Sequence, residues 1–447
     1  MKDYKYRTKE DVLIRGREII GIPLRNVDQT NRLKIGKGAI GSIIEESWFG
    51  YKINSESEPD FTEAGVELKA TPYIRTSKGI RAKERLVCNI INYMEEYKKT
   101  FYSSSFWQKC KTILLMTYEH IDGVDKGDFT IDEATLFSFP TGDLAIIEQD
   151  WECIISKIRS GRAHEISEGD TLYLGACTKG ASSASVRRQP FSDKPAKQRA
   201  YSLKQSYMTY ILNSYIFGSH SDEHIIKNPS ILQGKRFEEY IIERISPYIG
   251  WTQLALLSEF EIQVGPKNVN ELIIARILCI QGKITATEEF KKANIIPKTI
   301  RIQNGNRIKE SMSFPGFRFI DLIQEEWEDS ILKGYLEPTK FLFIIFRENG
   351  VNEYIFERIK FWNIPTEDLD EVRKVWERTV QIIKSGVKLE YIGNVTRNNL
   401  PKQSENRVAH VRPHARDAND TYPLPDGREM TKQCFWFNRT YVEQIVL

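Results

Sequence analysis

Residues 64–71, A-G-V-E-L-K-A-T, alternate between apolar and polar positions, so a strand there puts Val66, Leu68 and Ala70 on one face and Glu67, Lys69 and Thr71 on the other. The same reading predicts a strand over 64–74 pairing with one over 84–92, with the basic connection 75–83 between them, and further strands at 111–118 and 133–139. Helical spacing runs over 8–20 behind the cap candidate Thr8. A second helix follows Gly38 and Gly41 and carries Glu45 and Glu46 toward the alternating strand, and a third spans 142–160 and closes at Gly161. Residues 178–204 are rich in Ser, Gly and Pro and read as loop. A last helix or strand at 205–216 precedes a polar linker at 219–230.

After the linker the pattern starts again. A shift of 229 positions carries Gly21 to Gly250, Phe61 to Phe290, Ala64 to Ala293 and Lys69 to Lys298. A shift of 225 carries P-T-G-D-L at 140–144 to P-T-E-D-L at 365–369, Trp151 to Trp376, and Ser160-Gly161 to Ser385-Gly386. The chain is therefore expected to be an internal duplication, with domains at 1–218 and 234–447 and a linker at 219–233. In the second copy Asp60 becomes Glu289, Glu67 becomes Ile296, Leu68 becomes Pro297 and Glu46 becomes Ala275, while Lys298 is kept. Isoleucine has no ligating atom and proline no strand donor. A copy that keeps the fold and drops the carboxylates is expected to be kept for binding.

Length supports this division, since 447 residues suit two domains of about 200 each. Hydrophobic and charged fractions of 40% and 28% are ordinary for a globular protein, and no apolar run is long enough for a membrane span. The start M-K-D-Y-K-Y-R-T-K-E-D lacks an apolar segment, which argues against secretion and for a cytoplasmic protein. The six cysteines form no C-x-x-C pair and fit reduced thiols better than a disulfide framework or zinc site. His220/His224 and His410/His414 have helical spacing, but one pair lies in the linker and the other brackets a proline, so zinc is not expected. A net charge of +3 leaves nucleic-acid affinity to local clusters. One such cluster is Lys179, Arg187, Arg188, Lys194, Lys197, Arg199 and Lys204, against the single acid Asp193.

Two carboxylates and an ammonium on one strand face suit metal-assisted phosphodiester hydrolysis: hard oxygens hold a divalent cation and the lysine orients the attacking water. The same residues would also suit an edge strand with a solvated charged face, and the surrounding text decides between the two. E-S-W-F-G at 46–50, P-D at 59–60 and E-A-G-V-E-L-K-A-T-P at 63–72 resemble the MutH branch of the PD-(D/E)XK nucleases, and within it the long two-copy restriction endonucleases that cut at GATC. K-E-R-L-V-C-N-I-I-N-Y at 83–93, G-A-C-T-K-G-A at 175–181, K-Q-R-A-Y-S-L-K at 197–204, H-V-R-P-H at 410–414 and M-T-K-Q-C-F-W at 430–436 extend the resemblance over nearly the whole chain.

The resemblance implies a mixed α+β fold of two tandem MutH-type domains, the second degenerate. It implies a type IIE restriction endonuclease dependent on Mg²⁺, with Mn²⁺ able to substitute. Asp60, Glu67 and the Leu68 carbonyl would hold the metal, and Lys69 and Lys109 would serve catalysis. The family's helix glutamate falls on Glu45 or Glu46, because this chain has one extra residue between Gly41 and Trp48; spacing to the metal strand favours Glu46. DNA contacts are expected at Lys37, Glu84, Lys179, Arg187, Arg188 and Lys204, and effector-DNA contacts at Arg412, His414 and Lys298. The expected partners are duplex DNA with two GATC sites and, genetically, a protecting methyltransferase. The protein would be a monomer able to pair on DNA. A mismatch-repair nickase is the alternative, disfavoured by the duplication. A DNA-binding protein without catalysis is disfavoured by the intact Asp60, Glu67 and Lys69.

Overall fold

The computed structural model describes residues 6–34, 38–51, 58–77, 79–180, 185–218, 222–263, 268–308, 311–350, 353–392 and 395–447. The chain divides into two compact units: residues 1–237 with 286–294, and 238–285 with 295–447. The division falls later than the expected 218/234 boundary. The reason is that the described part of the expected linker is packed: Ile225 and Leu232 are buried, and the Gln149 amide donates to the carbonyls of Leu232 and Lys235.

The first unit is built on a four-stranded sheet in the order β2-β1-β4-β5, with β1 Glu67–Thr76, β2 Gly79–Ala82, β4 Ile113–Glu119 and β5 Glu133–Phe137. β1 and β4 are parallel, in the register Glu67↔Ile113 and Lys69↔Leu115. β1 does not pair with the 84–92 segment. Its antiparallel partner is β2, inside the basic connection, and only from Tyr73 onward, so the Glu67–Thr71 stretch has β4 on one side only. β3 (Leu86–Ile90) instead joins a second, antiparallel sheet with β6 (Leu174–Thr178) and β9 (Arg199–Leu203), in the order β3-β9-β6. The 178–204 region is therefore not all loop. Its described part forms a hairpin of β7 (Val186–Gln189) and β8 (Ser192–Lys197) and then the central strand β9. The serines and glycines mark the turns, and the alternation was masked by exposed Arg187 and Arg188.

The second unit repeats this plan. Its main sheet has the order β11-β10-β13-β14, from β10 Ile295–Gln303, β11 Arg307–Ile308, β13 Lys340–Glu348 and β14 Tyr354–Trp362. β10 and β13 are parallel, in the register Ile296↔Phe341 and Lys298↔Phe343. β12 (Met312–Phe317) forms a three-stranded sheet with Gln433–Phe437 and Ala409–Pro413. The repeated P-T-x-D-L, Trp and Ser-Gly positions fall on matching helices, Thr141–Arg159 and Thr366–Ser385. Pro140 and Pro365 cap them, Trp151 and Trp376 are buried on them, and Gly161 and Gly386 follow them at φ of 70° and 95°. The positive φ is why glycine recurs there.

Candidate active site

Turn chemistry brings Asp60 beside Glu67. Gly65 takes φ of 64°, and Phe61 and Val66 pair across the turn. The Asp60 N–H then donates to Glu67 Oε2 (3.2 Å), and the Leu68 N–H donates to Asp60 Oδ2 (2.9 Å). These two bonds set the carboxylates side by side. The Leu68 N–H thus faces the turn rather than β4, and in a strand a residue's carbonyl points to the same side as its N–H. The second unit has Pro297 at this position, where no aspartate needs the donor. Phe61 is held by edge-to-face contacts with Tyr6, Phe49 and Tyr51 at ring separations of 4.9–5.4 Å, which fixes the turn from beneath.

Glu67 is not on a solvated face; it is 1% exposed. Its Oε1 accepts from Lys69 Nζ at 2.6 Å and lies 3.7 Å from Lys109 Nζ. Lys109, in the helix Ser105–Cys110 capped by Ser104, is buried rather than a surface lysine. Burial pushes the Glu67 carboxyl up to about 7, against the pull of Lys69 and with the push of Asp60. Burial lowers the Lys69 ammonium, but the Glu67 charge outweighs it and holds Lys69 above its ordinary range.

The preference for Glu46 is corrected. The helix Ala39–Ile43 continues as a wider π-type turn over Ile44–Phe49, which absorbs the extra residue. Glu46 turns away and accepts from Arg32 Nε and Nη2, each at 2.8 Å, which holds its carboxyl below the ordinary range. Glu45 faces the cluster: burial, then the charges of Asp60 and Glu67, push its carboxyl up to about 7 against Lys69. Trp48 anchors this turn, with Nε1 donating to the Arg15 carbonyl (2.9 Å) and its ring under the Arg15 guanidinium at 3.7 Å.

Among the described residues no three His, Cys, Asp or Glu side chains form a finished cation site. The donor chemistry nonetheless fits a hard divalent cation. Asp60 and Glu67 offer adjacent oxygens, and Glu45 carries a charge that its carboxylate neighbours oppose and that a cation would relieve.

The remaining candidates separate by exposure. Lys179 follows β6, exposed, with its N–H on the Gln198 carbonyl at 2.8 Å, and Arg187 and Arg188 are exposed on β7. Lys204 is corrected. It is wholly buried, its ammonium donating to the Thr171 carbonyl, so it braces the sheet and cannot reach a phosphate. Arg199, from the same basic run, is buried on the Ala176 carbonyl. Glu84 is exposed before β3. Its basic neighbours are engaged elsewhere, Arg85 with Glu168 and Lys83 with His120. Lys37 lies outside the described residues.

In the second unit His414 follows Ala409–Pro413 as Lys179 follows β6, with its N–H on the Lys432 carbonyl at 2.9 Å. The Arg412 guanidinium lies 4.4 Å from the Trp436 ring centre and the His414 ring 5.4 Å from it. Lys298 is half-buried on β10, on a different sheet, and burial lowers its ammonium; the position of Glu67 beside it is filled by Ile296.

The family model for the DNA mismatch repair enzyme MutH matches residues 49–150, which include Asp60, all of β1, Lys109 and β4. Full-length similarity narrows the class, and the chain belongs to the MutH-like type II restriction endonucleases: it is a site-specific deoxyribonuclease. The type II restriction enzyme Sau3AI of Staphylococcus aureus is 39% identical, over 99% of this chain and 99% of its own length. The mismatch repair protein MutH of Shewanella oneidensis is 27% identical over 46% of this chain and 95% of its own length, so it is about half as long. That of Shewanella woodyi is 26% identical over 40% of this chain and 79% of its own.

Proposed function

We propose that the enzyme cleaves duplex DNA at 5′-GATC-3′ with Mg²⁺ (Mn²⁺ able to substitute), the first unit cutting while the second binds another copy of the site as effector. The observation that carries this is a repeated sheet plan in which one copy keeps Asp60, Glu67 and Lys69 and the other holds Glu289, Ile296 and Lys298. Asp60, Glu67, Glu45 and the Leu68 carbonyl would hold the cation, which supplies Lewis acidity at the phosphoryl oxygen and an acidified water. Lys69, fixed by Glu67, orients the attacking water, and Lys109 adds positive charge where the phosphorane-like charge builds. We take the protein to act in the bacterial cytoplasm as a monomer that pairs on DNA, its host protected by a cognate methyltransferase.

The exposed Lys179 is the base reader in this scheme. Lys179→Ala is expected to lose about 1–3 kcal/mol of discrimination at one base pair. Competition with single-base variants of GATC measures it; equal weakening on all variants would make the lysine a phosphate contact instead.

The effector role is tested with plasmids. A two-site plasmid should be cut faster than a one-site plasmid, because the second site is present at high effective concentration. A short GATC duplex added in trans should rescue the one-site plasmid. Arg412→Ala with His414→Ala should remove that rescue, since both side chains are exposed around Trp436. Equal rates on both plasmids from the start would make the second unit a structural partner only.

A further inference from the structure

Tyr51 follows directly after the π-type turn, its N–H donating to the Glu45 carbonyl at 3.2 Å. Its ring packs edge-on against Phe61, the residue after Asp60, at 5.4 Å. Its hydroxyl is buried and finds no hydrogen-bond partner among the described residues. Leaving a buried hydroxyl unpaired is unfavourable, and a phenylalanine would fill the same space without that cost. The surroundings say what the hydroxyl faces. Asp60, Glu45 and Glu67, in that order, are the charged groups that act on it besides its burial. A donor thus stands among three carboxylates and bonds to none of them.

We infer that Tyr51 is a positioning residue of the cation site: its hydroxyl donates to the Asp60 carboxylate once a divalent cation draws the carboxylates together, and so fixes that ligand's orientation. Ligating carboxylates are commonly held by such an outer partner, whose loss weakens metal affinity or activity about 10–100-fold. The inference rests on the proposed metal-holding role of Asp60, Glu67 and Glu45.

Tyr51→Phe removes the hydroxyl alone. Without metal its melting temperature should equal or exceed that of the unaltered protein, because an unpaired polar group has gone. Mn²⁺ affinity, measured by calorimetry, should fall about tenfold. Cleavage should slow about 10–100-fold with KM for DNA little changed. A lower melting temperature without metal would mean that the hydroxyl already has a structural partner, and would overturn the inference. Mn²⁺ affinity within twofold of the unaltered protein would overturn it too. Glu67→Ala, run in parallel, separates the two readings. If Glu67→Ala loses Mn²⁺ while Tyr51→Phe does not, only the tyrosine's role falls. If Glu67→Ala binds Mn²⁺ normally, the metal site itself has been misplaced and the inference falls with it.

Discussion

Glu67→Ala is expected to slow plasmid cleavage on the order of a thousandfold, while binding to a GATC duplex survives. A Lewis-acid site contributes several kcal/mol to the transition state, and each ~1.36 kcal/mol is a factor of ten. The deletion also strips Lys69 and Lys109 of the carboxylate that orders them. Near-normal linearisation by this variant would place the metal elsewhere. Glu67→Gln carries a second, opposite signature. The folded Glu67 carboxyl titrates near 7, above its ordinary 4.5. The native state therefore holds a proton that the unfolded chain has released between those values. The stability this contributes is fully present below about 4.5 and is lost as pH rises through about 7. Raising the pH from 4 to 8 should therefore destabilise the metal-free unaltered protein more than metal-free Glu67→Gln, whose residue 67 does not titrate. Mg²⁺ should raise the melting temperature of the unaltered protein and not of the variant. Denaturant titrations at the two pH values measure the first effect, and an equal loss of stability in both proteins between those pH values would contradict the buried-charge account.

The second large effect is a contrast between neighbours. Glu45→Gln should lose about a hundredfold or more in cleavage and bind Mn²⁺ weakly, because a carboxylate facing the cluster is lost. Glu46→Gln removes only a partly exposed pair with Arg32 and should change the rate little. Single-turnover rates of the two variants decide it. The reverse ranking would return the helix ligand to Glu46 and make the π-type turn irrelevant to the site.

The division between what sequence could and could not reveal follows from range. Asp60, Glu67 and Lys69 were legible because a two-residue strand period and a short turn place them, and both act over a few residues. The duplication was legible because proline, tryptophan and glycine occupy positions that helix capping and burial dictate in each copy. Glu45 was kept only as the alternative to Glu46, because linear counting assumes 3.6 residues per turn and the π-type turn breaks that count. Lys204 was misread because charge alone does not reveal that a lysine ends on a buried carbonyl. The fate of β3 depends on a partner more than a hundred residues away, Leu86 opposite Leu203, whereas the β1–β2 pairing is a local hairpin, Thr76 opposite Gly79, hidden by the charges of the basic connection.

One helix sets a limit on the chain's history. Glu288–Ala293, the stretch of the second copy that corresponds to the Asp60 turn, belongs to the first unit. There Glu289 accepts the N–H groups of Ile225 and Ile226, and the wholly buried Lys292 is bonded to Asp143 and Glu288. Restoring aspartate at 289 and glutamate at 296 would not recreate a cutting copy, because residue 289 sits on a helix and not on a turn folded against β10. Freeing that helix would strip Asp143 of the Lys292 charge, leaving it Tyr207 alone among the described residues, and would leave two backbone amides of the first unit without their partner. On the proposed division of labour, reversion would therefore disturb the first unit before it repaired the second, and selection against that first step would make the loss of a second nuclease a one-way passage.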